Sequence, residues 1–187
     1  MDKVIYHFSE EPNISYFEPR FSTPELGAVV WGISEVAMYK YLLPRDCPRV
    51  TFRADDQTSA RDVQSFFRHS SVRCVVALES CWLETVRRTK LYRYHLPADT
   101  FKLALEDERT QYYISHQLVT PLSVVCIDDL LKALIDIGVE LRVMPSLWPL
   151  YDAVVNSTLA FSIIRMRNAQ PRDLATAFHP PCVGLRL

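Results

Sequence analysis

Apolar and polar positions along this chain change period every few residues, and the changes predict its elements. Val4-Ile5-Tyr6-His7-Phe8 is β-branched and aromatic and runs into Ser9-Glu10-Glu11-Pro12, which predicts a first strand entering a turn. Residues 28–33 predict a second strand. Ser34 then stands as an N-cap before a helix over 35–43, which Pro44 stops. Val36, Tyr39 and Leu43 are expected on its core face. Residues 49–53 read as a short strand, and 58–68 as a helix with Val63, Phe66 and Phe67 inward.

Further on, residues 72–78 form a continuous apolar strand, 79–88 a helix, and 90–96 alternate with a period of two, the mark of a strand with one wet face. Strands are expected over 111–119 and 123–127. Asp128 caps an amphipathic helix through Ile137 that Gly138 terminates, and residues 139–144 add another strand. A helix over about 148–155 follows, then a segment over 158–166 of either type. A tail from about 170 to 187, with Pro171, Pro180 and Pro181, is expected to be irregular. Seven or so strands, several too close together for βαβ crossovers, predict an α+β fold: one domain over residues 1–187, a mixed or antiparallel sheet with flanking helices.

Composition agrees with a single packed domain. Of 187 residues, 49% are hydrophobic and 23% charged, enough to bury a core. Lys plus Arg is 21 against Asp plus Glu 22, so no overall field draws the chain to nucleic acid or to anionic lipid, and a polyanion site must be a local patch. Four glycines leave no room for a P-loop or a dinucleotide-binding GxGxxG turn. The N-terminus has no long apolar stretch before acidic residues, and no run reaches the length of a membrane span, so a cytoplasmic protein is expected. Cys47, Cys74, Cys81, Cys126 and Cys182 are odd in number and widely spaced, which predicts reduced thiols. The histidines lack an i,i+4 partner or an HExxH context, so no metal is expected.

The candidate chemistry lies in three places. His7 ends the first strand beside Ser9 and a proline turn, positioned either to bond a ligand at the sheet edge or to be satisfied by backbone. Trp31-Gly32 sits in a strand that leads to Tyr39 and Tyr41; glycine in a strand marks a bulge or a close approach, and an ordinary core is the alternative. Pro44-Arg45-Asp46-Cys47-Pro48-Arg49 is a stiff loop carrying two guanidinium groups, an anion-binding arrangement, a setting that would activate Cys47, or a salt-bridged turn. Arg165 and Arg167, with Asn168, make a second cluster, expected to meet the first in space around a concave positive site. The internal alternative has Asp46 and Glu140 neutralising these arginines. Glu10, Glu11, Glu108 and Glu140 are the acids to place relative to His7.

Two resemblances add to this. The strings Tyr6-His7-Phe8-Ser9-Glu10, Val30-Trp31-Gly32-Ile33, Pro44-Arg45-Asp46-Cys47-Pro48-Arg49, Glu140-Leu141-Arg142-Val143 and Arg165-Met166-Arg167-Asn168-Ala169 resemble a family of small uncharacterised bacterial proteins over nearly the whole chain. The order of a His ending strand one, a strand running into a helix with a tyrosine, and a late strand before Val119-Thr120-Pro121 is similar to the His-Tyr-Glu branch of the ADP-ribosyltransferase fold. That resemblance implies an enzyme binding NAD, with His7 on a ribose and Tyr39 stacked on nicotinamide. Where the branch has its Glu, this chain has His116-Gln117; the role passes to a different acid, Glu108, or the chain is an inactive relative. Ser9, Trp31, Arg45, Arg49, Arg165, Arg167 and Asn168 would then hold the phosphate-bearing nucleotide. A non-catalytic interaction module, its surface near Trp148 and Tyr151 and its arginines structural, is the other expectation.

Overall fold

A computed structural model describes residues 4–104 and 109–172. In chain order the first strands are β1 (Ile5–Ser9), β2 (Arg20–Thr23) and β3 (Gly27–Ser34), followed by a 3-10 helix over Glu35–Tyr41. Next come β4 (Arg49–Arg53), α1 (Ala60–Phe67), β5 (Cys74–Glu79), α2 (Leu83–Arg88) and β6 (Leu91–Leu96). The rest comprises β7 (Lys102–Leu103), β8 (Tyr112–Ser115), β9 (Ser123–Ile127), α3 (Leu130–Asp136), β10 (Glu140–Met144), α4 (Trp148–Val155) and β11 (Ala160–Ile164).

These strands build two sheets. One is antiparallel, ordered β7-β8-β3-β1-β6-β9 with β2 added to β3. The other is ordered β10-β5-β4-β11, and its β10–β5 pair is parallel. Sheet two is buried on both faces: Val76 and Leu78 pack with Leu91, Leu130 and Leu134, while Val75 and Ala77 pack with Phe67, Leu150 and Val154. That explains why β5 reads as an unbroken apolar run, since neither face meets water. Sheet one turns its other face to a third cluster around Ile5, Tyr94, Leu96, Phe101 and Tyr113. The α+β class is the one the pattern predicts; two sheets, one antiparallel and one mixed, stand where it predicts a single sheet.

Several local expectations are corrected. The segment after Ser34 is a 3-10 helix, not an α-helix. Three residues per turn bring Ala37 and Lys40 into line, and Val36 is left 74% exposed. Glu79 belongs to β5 rather than to a helix, and its side chain is fully buried. Its carboxylate accepts the Leu147 N–H at 3.2 Å and the Gln170 N–H at 2.9 Å. The strand expected over 111–119 shrinks to Tyr112–Ser115, because Gln111 takes a left-handed conformation with φ 57°. Asp129, not Asp128, caps α3, accepting from the Lys132 N–H at 2.9 Å. The ambiguous 158–166 segment holds β11, paired with β4. Residues 173–187, most of the expected irregular tail, lie outside the described residues. No helix among the described residues is long and apolar enough to cross a membrane.

Candidate functional site

Strand β1 is shared unequally between its neighbours. It pairs with β6 along its whole length from Ile5 to Ser9, but with β3 only at Ile5↔Ser34 and Tyr6↔Ile33. Beyond Tyr6 the two strands part. At the apex of this fork the His7 ring takes over from the backbone ladder, with Nδ1 2.9 Å from the Trp31 carbonyl. A carbonyl only accepts, so Nδ1 carries the proton and Nε2 is left as an acceptor. The imidazole stacks on Phe17 at 4.6 Å between ring centres. Burial holds its pKa below the ordinary histidine value, the bond to Trp31 works against that, and the charges of Arg45 and Arg20 lower it further.

A small cavity of about 60 Å³ opens at the fork, lined by Tyr6, Phe8, Trp31, Tyr41 and Tyr112 together with His7. Register explains the aromatic wall. Tyr6, Ile33 and Tyr112 lie side by side across three strands, and Phe8 and Trp31 are two residues along on the same face. The Tyr112 ring meets those of Trp31 and Tyr41 edge-on, at 6.2 and 6.1 Å. Such a space holds a few waters or the edge of one flat ring. Gly32 also borders the cavity, yet the side chains crowding its missing Cβ are Ile5 and Phe101 of the core behind it. A larger depression by Arg87, Asp128 and Lys132 is an open trough, and its Lys132 is already paired with Asp136.

The two arginine clusters meet beside this cavity. Ile164 is the cross-strand partner of Arg49, so the next residue, Arg165, is brought to the end of β4. Arg49 is 2% exposed; its Nη1 donates to the carbonyls of Pro44 at 2.9 Å and Cys47 at 3.1 Å, and its guanidinium carbon lies 5.8 Å from the Tyr41 ring. Arg165 sits in a left-handed conformation, φ 58° and ψ 29°. Its Nε is 3.4 Å from Asp46 Oδ1 but poorly aligned, and the Nε atoms of both arginines are buried with no hydrogen-bond partner. Asn168 ties the clusters together by donating Nδ2–H to the Asp46 carbonyl at 2.7 Å. Around them the Tyr41 hydroxyl faces that of Tyr112, which lies 2.8 Å from Ser162 Oγ. Burial raises the Tyr41 pKa, so its hydroxyl stays protonated.

Arg49 and Arg165 come together as the sequence suggests, with Asn168 tied to the same loop, while His7 and Trp31 line the neighbouring cavity; the other candidates are placed elsewhere. Tyr39 is in the core, 4% exposed and bonded to the Cys74 thiol; Tyr41 is the tyrosine at the cavity. Ser9 Oγ accepts the Glu11 N–H in the turn after β1. The Arg45 and Arg167 side chains are exposed, and the Glu10 carboxylate takes the Arg45 backbone N–H at 2.8 Å. Glu140 pairs with Arg142 in sheet two, and Glu108 lies outside the described residues. Burial pushes the Cys47 thiol up to about 12, outweighing the nearby Arg49 charge, which speaks against a nucleophile. Trp148 is engaged by Gln170 O at 2.7 Å and covered by Arg172 at 4.6 Å, so it is no bare interface. Tyr112 and Ser162 escaped the sequence reading; the only signal was the Tyr112-Tyr113 pair, whose two faces alternation cannot rank.

The fold and site together define an α+β domain with a forked antiparallel sheet, a small aromatic-lined cavity at the fork and two arginines, Arg49 and Arg165, beside it. The chain belongs to the family of unknown function DUF6886, whose sequence profile matches residues 6–169. No curated protein and no solved structure matches it.

Proposed function

We propose that the fork binds NAD or a related nucleotide, and that the protein is an ADP-ribosyltransferase-like enzyme acting on an acceptor still to be found. The observation that carries this reading is the parting of β1 from β3 beyond Tyr6, which opens an aromatic-walled slot bordered by His7. A flat ring enters among Trp31, Tyr41 and Tyr112, whose faces and edges suit an electron-poor heterocycle. His7, at the border of the slot, is the residue that the resemblance assigns to a ribose. The slot is too small for a whole nucleotide, so the remainder lies outside it, over the loop that carries Arg45 and Arg49. Tyr41 takes the stacking role that the resemblance gives to Tyr39, and Glu108 is the acid assigned to the ribose of the leaving group.

Calorimetry with NAD, ADP-ribose, nicotinamide and AMP tests this, together with release of nicotinamide from NAD in the presence of cell extract as acceptor. Binding that His7→Ala and Tyr41→Ala each abolish is expected. No heat from any of the four at millimolar concentration, with His7→Ala leaving every property unchanged, removes the proposal.

A further inference from the structure

Arg49 poses a problem of charge. Its side chain is 2% exposed, and among the described residues no carboxylate stands within ion-pair distance of it. A guanidinium has five N–H donors, and here only Nη1 is engaged, by two carbonyls. Another cation acts on it as well: burial first, and then the Arg165 charge, work against its protonation, although an arginine does not give up its proton. Burying an unpaired charge next to a like charge is among the costliest arrangements a fold can hold. A loop brace accounts for the carbonyl bonds to Pro44 and Cys47. It does not account for the idle Nε, nor for Arg165, which holds a backbone conformation rarely adopted outside glycine and whose own Nε is idle as well.

We propose that Arg49 and Arg165 form a subsite for a phosphoryl oxyanion, and that the Asp46 carboxylate competes with this anion for Arg165. The chemistry of the surroundings selects the ligand. Two planar guanidinium forks present donors in the geometry that suits tetrahedral oxyanions, and the hydroxyls of Tyr41, Tyr112 and Ser162 are adjacent. Asp46, on an exposed loop and misaligned at 3.4 Å, is the one carboxylate in range of Arg165 among the described residues, and it is a poor match for that site. The subsite rests on the nucleotide reading for where the rest of the ligand lies, in the aromatic slot next to Tyr41. Its own residues are different ones.

The test is calorimetry of the full chain with inorganic pyrophosphate at constant ionic strength. Saturable binding is expected. Arg165→Gln should weaken it about tenfold or more, the scale of one lost charge-assisted hydrogen bond. Asp46→Asn should tighten it, and Arg88→Gln, a surface charge change on α2, should leave it alone. Arg165 is partly exposed, so its variant is expected to fold; the circular dichroism melt of each variant checks this, and Asp46→Asn gives the second reading. Absence of saturable binding overturns the subsite. So does equal weakening by Arg88→Gln, which would mean diffuse charge attraction, or weakening by Asp46→Asn. Nicotinamide and adenosine, which carry no phosphate, separate the two proposals. Pyrophosphate bound through Arg165 with no response to either compound keeps the subsite and ends the reading of the fork, and the reverse result ends the subsite alone.

Discussion

Replacing Gly32 with alanine tests what the glycine is for. The residue lies in β3 opposite the fork, and from sequence a glycine there fits a ligand pressed against bare backbone. The structure gives it a different neighbour. A Cβ at this position would collide with Ile5 Cγ2 and come within 3.1 Å of Phe101 Cε1. Carbon atoms in contact sit at about 3.5–4 Å, so Ile5 would have to retreat by something on the order of 1 Å. Ile5 has nowhere to go: it is 0% exposed, its backbone is pinned between β3 and β6, and its Cγ2 branches directly from a stiff Cβ. Overpacking of this kind costs about 1–3 kcal/mol. For a chain of this size that corresponds to a fall in Tm of roughly 2–12 °C. Urea unfolding should show the midpoint lowered with an unchanged m-value. The decisive comparison is Ile5→Leu, which removes the methyl from Cβ at nearly constant volume; in that background Gly32→Ala should cost measurably less. An unshifted midpoint for Gly32→Ala, or the same penalty in both backgrounds, would refute the steric account, and loss of ligand affinity with intact stability would return the glycine to the binding site.

His7 is held neutral by burial, so its folded pKa lies below the unfolded value of about 6.5. The unfolded chain therefore takes up a proton first. Stability should be full above that value and decline as the pH falls toward the folded pKa, and His7→Gln should flatten this part of a stability-versus-pH curve. Glu79→Ala leaves the buried N–H groups of Leu147 and Gln170 without an acceptor and should destabilise the fold by about 2–5 kcal/mol, whereas Glu79→Gln, which keeps one carbonyl oxygen, should cost less by chemical denaturation. Iodoacetamide at pH 8, followed by peptide mass mapping, should label the exposed Cys81 and Cys126 well before Cys47, whose thiol is buried and shifted to about 12; early labelling of Cys47 would contradict the burial described here.

Sequence reasoning succeeded wherever one physical constraint dominated. Strands β4 and β9 and helix α4 have the predicted bounds, because each is a run of uniform period between strong breakers. The meeting of Arg49 with Arg165 followed from two unusual arginine segments, though nothing local said that β11 would be a strand to bring them together. The tyrosine at the cavity was missed for a related reason. Tyr39 and Tyr41 are two apart, and the helical pattern rightly puts Tyr39 on the core face; it is the resemblance that gives Tyr39 the ligand role, while the position of β8 brings Tyr41 to the cavity. The pattern starts a helix at Glu79, whose capture by two distant backbone N–H groups is a tertiary fact that no local period carries. The fork at His7 depends on where two strands stop pairing, which no single strand records.

The position of β11 in sheet two sets an order of events during synthesis. Arg49 emerges early, in a strand that forms the sheet's edge until residues 160–164 add themselves beside it. Before that, the second arginine has not been made. The proposed anion subsite can therefore assemble only once β11 has been made, from pieces more than a hundred residues apart. A ribosome-bound chain that stops short of β11 would contain the whole aromatic slot and no paired arginines. Sensitivity of folding to phosphate would then report that synthesis has passed β11.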